Sequence, residues 1–279
     1  MKLGVVGKGG TGKTTLSTLV CVAYAGRGKR VVAVDTDSNP NLALSLGLGE
    51  ATAARARLVP RALADGSRRV EGDMTPARLI RDYGLVAPSG VVLLHAMRIE
   101  AAGAGCSCAS HASVRSLLAT AIDEEVDLAL VDMEAGLEHL SRSGGTLAYA
   151  DLLLMVMEPT RKSVVTAART LALAHELGIP RIAGVGNKAR HAGDHEFFAE
   201  VCIEYGIELA GVVPFDPAIA AADRLGTWAG VPDGPAGRAI EAIVDFVESP
   251  EAQREALLAE KARIERRLAE LGATACGGR

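Results

Sequence analysis

One stretch near the start of the chain constrains the fold more than any other. Gly7–Thr15 read Gly-Lys-Gly-Gly-Thr-Gly-Lys-Thr-Thr, which matches the phosphate-binding pattern G-x-x-x-x-G-K-[ST]. The glycines let backbone N–H groups approach an anion closely, while a lysine and a hydroxyl reach the terminal phosphates and Mg²⁺. Leu3–Val6 predict a short buried strand, and Thr14–Tyr24 predict a helix whose N-terminus faces the phosphates. The sequence therefore predicts a nucleotide-binding loop.

The residues of this loop have distinct predicted roles. Lys13 and Thr14 match the lysine and the hydroxyl of the pattern, so we predict that Lys13 is catalytic and that Thr14 binds Mg²⁺. Lys8 is a second lysine, inside the variable segment. Its ammonium could neutralise phosphate charge in its own chain, cross to the nucleotide of a second chain, or lie solvated at the surface. The predicted nucleotide contacts in the loop are Gly9, Gly10, Thr11, Gly12, Lys13, Thr14 and Thr15.

The composition fits one large α/β domain. The chain has 279 residues, of which 49% are hydrophobic but only 3% aromatic, so its core must be built from Ala, Val, Leu and Ile. Such a core suits parallel strands covered by helices. We predict an α/β fold with a single doubly wound, mostly parallel sheet flanked by helices, followed by a C-terminal helical extension.

Charge and hydropathy argue against two classes of partner. The formal net charge of −4 is unlike the basic surface of a nucleic-acid-binding protein. The chain starts directly with a predicted strand, and it contains no uncharged apolar run of about 18 residues. We therefore expect a cytoplasmic protein that binds no nucleic acid and does not insert into a membrane.

Carboxylates follow two of the predicted strands. The strand Arg30–Asp35 leads into a polar loop that contains Asp37, and the strand Asp127–Asp132 ends in an acid. Ligands of an open α/β sheet bind beyond the carboxyl ends of its strands. We predict that Asp37 binds Mg²⁺ or orients the attacking water, and that Asp132 supports Mg²⁺ beside Thr14. The alternative interpretation of Asp37 is an N-cap or turn aspartate.

The ends of two later strands offer groups to a nucleotide base. Asn187 and Lys188 follow one strand, and an asparagine amide can donate to and accept from a purine edge. Pro214 and Asp216 follow the next strand, again on the predicted ligand side of the sheet. The remaining predicted elements are strands at Val91–Leu94, Leu152–Met157, Arg181–Gly186 and Leu209–Val213, and a helix at Lys162–Leu177 that Thr160 caps.

Two cysteines one residue apart suggest a metal site. Cys106 and Cys108 stand at the start of a predicted helix, Ala109–Ile122, where the helix N-terminus favours thiolate. Two thiolates fill only half of a four-ligand shell, so the economical arrangement has two chains contributing both cysteines to one ion on a two-fold axis. Sulfur ligation suits Zn²⁺ or, in square-planar form, Ni²⁺. Two buried small hydrophobic residues are the alternative interpretation.

Other side chains give weaker signals. His191 and His195 are spaced to share a helix face, and without a third ligand nearby we interpret them as surface residues. Cys21 and Cys202 lie in apolar predicted helices, where we expect buried, inert thiols. Cys276 is either an incidental thiol or an auxiliary metal ligand.

Two sections lie outside the predicted core. Residues 51–89 are rich in Ala and Arg, with a helical pattern at Pro76–Tyr83, and predict a variable excursion at the sheet edge. Glu251–Leu271 predict a helix with five acidic and five basic residues, which docks onto its own domain or makes a short helix–helix contact. We therefore predict a P-loop domain at 1–248, and a charged helix with a short flexible tail at 249–279.

The loop containing Lys8 resembles the deviant Walker A family. That family includes the ParA and MinD partitioning ATPases, the nitrogenase iron protein, the arsenite-pump ATPase and metal-insertion ATPases. The resemblance implies that Lys8 is catalytic and contacts the partner's nucleotide across a face-to-face dimer. It also implies a functional role for Asp37, which lies two residues past the strand-end aspartate Asp35.

Within this family the motifs together resemble the CooC-type ATPases, which insert nickel into carbon monoxide dehydrogenase. The resemblance implies ATP with Mg²⁺, a homodimer in the ATP state, Ni²⁺ or Zn²⁺ held by four thiolates, and delivery of nickel to a client enzyme. It covers Lys2 to about Val247, and it departs in residues 51–89 and at the C-terminus. The matching segments are Lys8–Thr15, Asp35–Asn39, Cys106 with Cys108, Asp132–His139, and Asn187 with Lys188.

Three alternatives stay open at this point. A ParA- or MinD-like positioning switch would need a basic surface or a basic terminal helix. A redox ATPase like the nitrogenase iron protein would need two cysteines per chain that lie far apart in the sequence. A maturation ATPase for another nickel enzyme, such as acetyl-CoA synthase, would share every motif. Whether Glu134 or Glu138 takes part in switching also stays open.

Overall fold

The computed structural model describes residues 1–37, 39–60, 75–96, 125–134, 147, 149–227, 230–259, 261, 262 and 265. Eight strands within these residues form one sheet. They are β1 (Lys2–Gly7), β2 (Val31–Asp35), β3 (Leu85–Val86), β4 (Val92–His95), β5 (Leu128–Asp132), β6 (Leu152–Met157), β7 (Arg181–Ala189) and β8 (Glu208–Pro214).

The strand order across the sheet is β3-β4-β2-β5-β1-β6-β7-β8. The short β3 runs antiparallel to β4, and the other pairings are parallel. The described helices are α1 (Lys13–Gly26), α2 (Leu42–Ser45), α3 (Glu50–Ala54), α4 (Pro76–Tyr83), α5 (Arg161–Glu176), α6 (Ala192–Tyr205), α7 (Pro217–Leu225) and α8 (Pro235–Val247).

The central strands are buried on both faces because their side chains alternate between two apolar layers. In β2, Val32 and Val34 pack into one hydrophobic cluster while Ala33 packs into the other. Every residue of β5 and of β6 is buried. Runs of this kind are typical of parallel strands covered by helices, so the predicted doubly wound sheet is confirmed.

A cluster of ion pairs fixes α1 to α8 on one face of the sheet. Arg27, at the end of α1, reaches Glu241 at 2.5 Å, Glu248 at 2.7 Å and Asp245 at 2.8 Å. The three carboxylates lie on or directly after α8, and they hold the guanidinium from several directions. Both helices pack through apolar side chains between this cluster and the sheet.

Several local predictions are confirmed. Thr160 caps α5, because its side chain accepts a hydrogen bond from the Ser163 backbone N–H at 3.3 Å. Cys21 and Cys202 are buried, and burial raises the pKa of the Cys202 thiol to about 11. The helical pattern at 76–83 forms α4. The predicted helix at 109–122 lies outside the described residues.

One prediction about a helix face needs correction, and one is refined. His191 and His195 are exposed as expected, but His191 precedes α6 as its N-cap residue and so does not share a helix face with His195. Residues 250–259 are helical, yet Leu257 is 73% exposed and Leu258 58% exposed. These two leucines are therefore not covered by their own domain, although the start of the helix contacts it: Ala252 is buried, and Glu255 lies 3.8 Å from Arg181 of β7.

None of the described helices is both long enough and apolar enough to cross a membrane. The domain boundary at residue 248 stays a prediction.

Candidate nucleotide-binding site

The phosphate loop joins β1 to α1 and is closed by a tight turn. The Thr11 backbone N–H and hydroxyl both donate to the Lys8 carbonyl oxygen, at 3.3 and 2.9 Å. Gly10, inside this turn, has φ 85°, and Gly12, at the start of α1, has φ 92°. Both lie in the left-handed region, which favours glycine. A Cβ on Gly12 would also collide with the Asn187 amide nitrogen, so the second glycine of the pattern meets a steric need of this fold.

Lys13 lies at the base of the loop among carboxylates. Its side chain is largely buried, and its ammonium donates to the Lys8 carbonyl oxygen at 3.3 Å. Burial lowers the pKa of Lys13, while the negative charges of Asp132, Asp37 and Glu134 oppose that shift. The loop lysine is therefore held between the loop and an acidic patch. Lys8 itself is exposed on the outside of the same turn.

Two buried aspartates face each other where β2 and β5 end. Asp35 and Asp132 are register partners on these neighbouring strands. Burial, followed by the negative charge of the neighbouring carboxylate, raises the pKa of Asp35 to about 7. Burial also raises the pKa of Asp132 to about 6, although hydrogen bonds from Thr14 and Ser17 and the charge of Lys13 oppose this. The pair forms a compact negative site next to the phosphate loop.

The buried pair also shapes the loop that contains Asp37. The two carboxylate oxygens of Asp35 accept hydrogen bonds from the backbone N–H groups of Asp37 and Leu42, each at 3.0 Å. Asp37 accepts from the Asn39 backbone N–H at 2.8 Å, so the turn role that was the alternative interpretation is present. The predicted roles of Asp37 in Mg²⁺ binding and in orienting water stay predictions.

Sequence reasoning missed Ser17, whose hydroxyl donates to the Asp132 carboxylate at 2.8 Å. Ser17 is buried on the first helix, four residues after Lys13, so both side chains lie on the same helix face. A polar residue one turn after the loop lysine was the available signal.

An open pocket extends from the phosphate loop to the ends of β7 and β8. All four residues predicted to bind the base line it: Asn187, Lys188, Pro214 and Asp216. The Asn187 amide already donates to the Thr11 carbonyl oxygen at 2.8 Å, and its own oxygen accepts from the Lys188 N–H at 2.9 Å. Contact of Asn187 with a base stays a prediction.

The rim of this pocket includes an aromatic contact that the sequence did not indicate. Phe215 lines the pocket, and the Arg190 guanidinium lies 4.1 Å from the centroid of its ring. Asp216 caps α7 by accepting from the Ala218 N–H at 2.7 Å. The pocket wall is therefore built by the first turn of α7 together with the ends of two strands.

The predicted thiolate site lies elsewhere in the sequence. Cys106 and Cys108 are outside the described residues, as are Glu138 and Cys276. Within the described ranges, no group of three or more His, Cys, Asp or Glu side chains is placed to hold a metal ion.

Comparison with known proteins identifies the class of this site. The family profile of the CobQ/CobB/MinD/ParA nucleotide-binding domain matches residues 5–227. The chain belongs to this family. Membership confirms the predicted P-loop ATPase.

Two relatives share about a third of their aligned residues with this chain, and the first of them confirms the predicted resemblance to the CooC-type ATPases. The carbon monoxide dehydrogenase accessory protein CooC of Rhodospirillum rubrum is 34% identical over 235 residues, which are 81% of this chain and 88% of that protein. An uncharacterized ATP-binding protein of Methanocaldococcus jannaschii is 32% identical over 261 residues, covering 88% of this chain and 97% of the relative.

Solved structures confirm the fold of the family. The septum site-determining protein MinD of Pyrococcus horikoshii, complexed with Mg-ADP, superposes with a TM-score of 0.67 at 20% identity and covers 89% of this chain and 96% of its own. A ParA family ATPase of Chlorobium tepidum also has a TM-score of 0.67, at 19% identity, covering 89% and 97%.

Proposed function

We propose that this protein is an ATP-dependent metallochaperone that binds Ni²⁺ and delivers it to a metalloenzyme, with carbon monoxide dehydrogenase as the client. The observation that carries the proposal is the 34% identity to a carbon monoxide dehydrogenase accessory protein, which extends over 88% of that relative. The same alignment covers 81% of this chain, so the likeness is not confined to the phosphate loop.

The nucleotide half of the function rests on the loop and its neighbours. Loop N–H groups and the Lys13 ammonium bind the phosphates, and the pocket beside Asn187 takes the nucleoside. The oxygen donors of Thr14, Asp37 and Asp132 are of the kind that Mg²⁺ prefers, and the negative charge of the buried aspartates suits a cation. These residues would hold Mg²⁺, which neutralises phosphate charge when it is bound.

The hydrolytic role belongs to Asp37 and the two loop lysines. Asp37 orients the attacking water, and Lys13 stabilises negative charge on the terminal phosphate. Lys8 is exposed beside the phosphate loop. In the ATP-bound homodimer its charge reaches the nucleotide of the second chain. Hydrolysis removes the terminal phosphate of ATP, which both chains bind, and the two chains then separate.

The cargo half of the function rests on the two cysteines. Two chains that meet at the ATP-binding face each supply Cys106 and Cys108 to one ion, which completes a four-thiolate shell. Closing the dimer on ATP tightens this shell, and hydrolysis releases the ion to the client. Because coupling between two binding sites is reciprocal, bound nickel must also strengthen ATP binding.

The test is nickel affinity measured by titration calorimetry with and without ATP. We expect one Ni²⁺ per two chains, at least about tenfold tighter binding when ATP is present, and loss of the site in Cys106→Ser/Cys108→Ser. Cys202→Ala is the matched control, because it removes a buried thiol outside the pair, and it should bind nickel normally. Stoichiometric nickel binding by the double variant would contradict the ligand assignment, and equal affinity with and without ATP would contradict the coupling.

The fold likeness to MinD and ParA favours one alternative, a positioning switch that binds DNA or a membrane surface in its ATP state. The net charge of −4 argues against it, since such surfaces attract basic proteins. Co-sedimentation with duplex DNA and with anionic lipid vesicles, each with ATP, separates the two functions. Binding to either one without any nickel affinity would favour the switch.

A further inference from the structure

The end of β7 holds two consecutive peptide groups of the phosphate loop. The Asn187 amide donates to the Thr11 carbonyl oxygen at 2.8 Å, and the Lys188 ammonium donates to the Gly10 carbonyl oxygen at 2.5 Å. Each donor is more than 170 residues away from its acceptor in the sequence. The loop is therefore braced from outside by a neighbouring strand, in addition to its own turn.

The backbone at Lys188 is arranged for this contact. Lys188 has φ 60°, and among the described residues it is the one non-glycine with a positive φ. A long side chain seldom adopts this conformation, so it indicates a functional constraint. The Asn187 side-chain oxygen accepts from the Lys188 N–H at 2.9 Å and stabilises the turn. Both side chains are thereby aimed at the loop.

Glu158 holds Lys188 from the other side. Its carboxylate lies 2.7 Å from the Lys188 ammonium, at the end of β6, which is the neighbour of β7 in the sheet. The backbone of Glu158 is itself fixed, because its N–H donates to the buried Ser163 hydroxyl at 3.0 Å. Glu158 is absent from the residues that line the nucleoside pocket. A carboxylate repels phosphate directly, so a favourable effect of Glu158 on ATP binding must pass through Lys188.

The brace sets the direction of the loop's N–H groups. In a trans peptide the carbonyl and the following N–H point in opposite directions. Holding the Thr11 carbonyl towards β7 therefore turns the Gly12 N–H away from β7, and holding the Gly10 carbonyl fixes the Thr11 N–H that closes the turn onto Lys8. The position of the exposed Lys8 depends on the same turn.

We propose that Glu158 and Lys188 are a positioning pair that holds the phosphate loop in its binding conformation and so sets the affinity for ATP. Glu158 orients the ammonium, and the ammonium orients the Gly10 peptide. This role depends on the ATP-binding half of the proposed function and is independent of nickel.

The experiment measures ATP affinity and steady-state ATPase kinetics with Mg²⁺ present and nickel absent. Lys188→Ala should weaken ATP binding about tenfold and Glu158→Gln about three- to fivefold, as expected for charge-assisted hydrogen bonds. Lys188→Arg keeps a cationic donor and should stay within about twofold of the native affinity. The double variant should bind ATP no more weakly than Lys188→Ala alone, because Glu158 acts only through the lysine.

The matched control removes another ion pair near the end of β6. Arg161 and Glu204 lie 2.7 Å apart on the surface and do not touch the loop, so Glu204→Gln should leave ATP affinity unchanged. Because the pair of Glu158 and Lys188 is only partly buried and solvent still screens it, the melting temperature of Glu158→Gln should move by less than about 2 °C.

Three results would contradict the proposed positioning role of Glu158 and Lys188. Unchanged ATP affinity in Lys188→Ala would show that the brace has no function. Tighter ATP binding in Glu158→Gln would mean that Glu158 competes with phosphate for the lysine. Additive losses in the double variant would show that Glu158 acts by another route. All three are read without nickel, so a failure of the metallochaperone function leaves this test intact.

Discussion

At the scale of single residues, the site is defined by how closely the phosphate loop approaches the strand that braces it. Gly12 combines a left-handed backbone with a direct approach to the Asn187 amide, and it leaves no room for a side chain. Asp35 also shapes the site without side-chain contact to a ligand. Both of its carboxylate oxygens accept hydrogen bonds from backbone N–H groups, and these bonds fix the loop that contains Asp37. Neither residue needs to touch a phosphate in order to shape the site.

We predict that Gly12→Ala weakens ATP binding at least about tenfold and lowers the free energy of unfolding by about 1–3 kcal/mol, because strain and the clash with Asn187 act together. Titration calorimetry and denaturant unfolding measure the two effects. Gly90→Ala is the control: Gly90 also has a positive φ, 86°, but open space surrounds its Cβ position. If both variants lose the same stability and both bind ATP normally, the close contact between Gly12 and Asn187 does not affect function, and the prediction is wrong.

At the scale of elements, the sheet places the ends of β1, β2, β5, β6 and β7 at one edge, and the helices fix that edge. The helix α1 starts at the loop and ends at Arg27, where three carboxylates on or after α8 hold it. The same α8 packs on β8, whose end forms a wall of the nucleoside pocket. The helix that follows the phosphate loop and the strand that forms the pocket wall are therefore both attached to α8. The ion pairs of this link lie at the end of α1 that is opposite the loop.

Arg27→Ala should lower the free energy of unfolding by about 1 kcal/mol, a modest value because solvent screens the partly exposed cluster. Its ATP affinity should change by less than about twofold, since the cluster lies at the opposite end of α1 from the loop. Denaturant unfolding and calorimetry measure both quantities. Arg161→Ala is the control that removes one isolated ion pair, and it should not change stability measurably. An Arg27→Ala protein as stable as the native one would show that packing alone holds the two helices.

At the scale of the whole molecule, the phosphate loop and the exposed Lys8 lie on one face, above the buried acidic pair. The described part of the C-terminal helix exposes Leu257 and Leu258. Its sequence is balanced in charge, so among the predicted roles a short helix–helix contact is the one that fits these exposed leucines. In the proposed ATP-bound homodimer, the face that bears the phosphate loop meets a partner that carries its own nucleotide.

Lys8→Ala should abolish ATP-driven dimerisation while the affinity of the monomer for ATP stays within about threefold, because Lys13 and the loop N–H groups remain in place. Sedimentation velocity with and without ATP measures the association, and calorimetry measures nucleotide binding. Lys29→Ala is the control, because Lys29 is also an exposed lysine but follows α1, away from the loop. ATP-driven dimers formed equally well by Lys8→Ala would contradict the role of Lys8 across the dimer.

The sequence by itself determined the nucleotide-binding loop, the parallel sheet and the side of the sheet where ligands bind. Each of these is expressed locally: in the glycine and lysine spacing of 7–15, in continuous apolar runs such as Leu152–Met157, and in polar residues placed directly after strands. Local patterns of this kind are read from neighbouring residues, so no knowledge of the distant chain is needed.

Only the tertiary structure decided which distant groups serve the loop. Ser17 meets Asp132 across 115 residues, Lys188 meets Gly10 across 178, and Glu158 meets Lys188 across the boundary between two strands. No periodicity or motif marks such pairs, because strand order and register bring them together after the chain has folded. The loop motif thus establishes that a nucleotide binds, and the packing of β6 and β7 against the loop establishes how the loop is held.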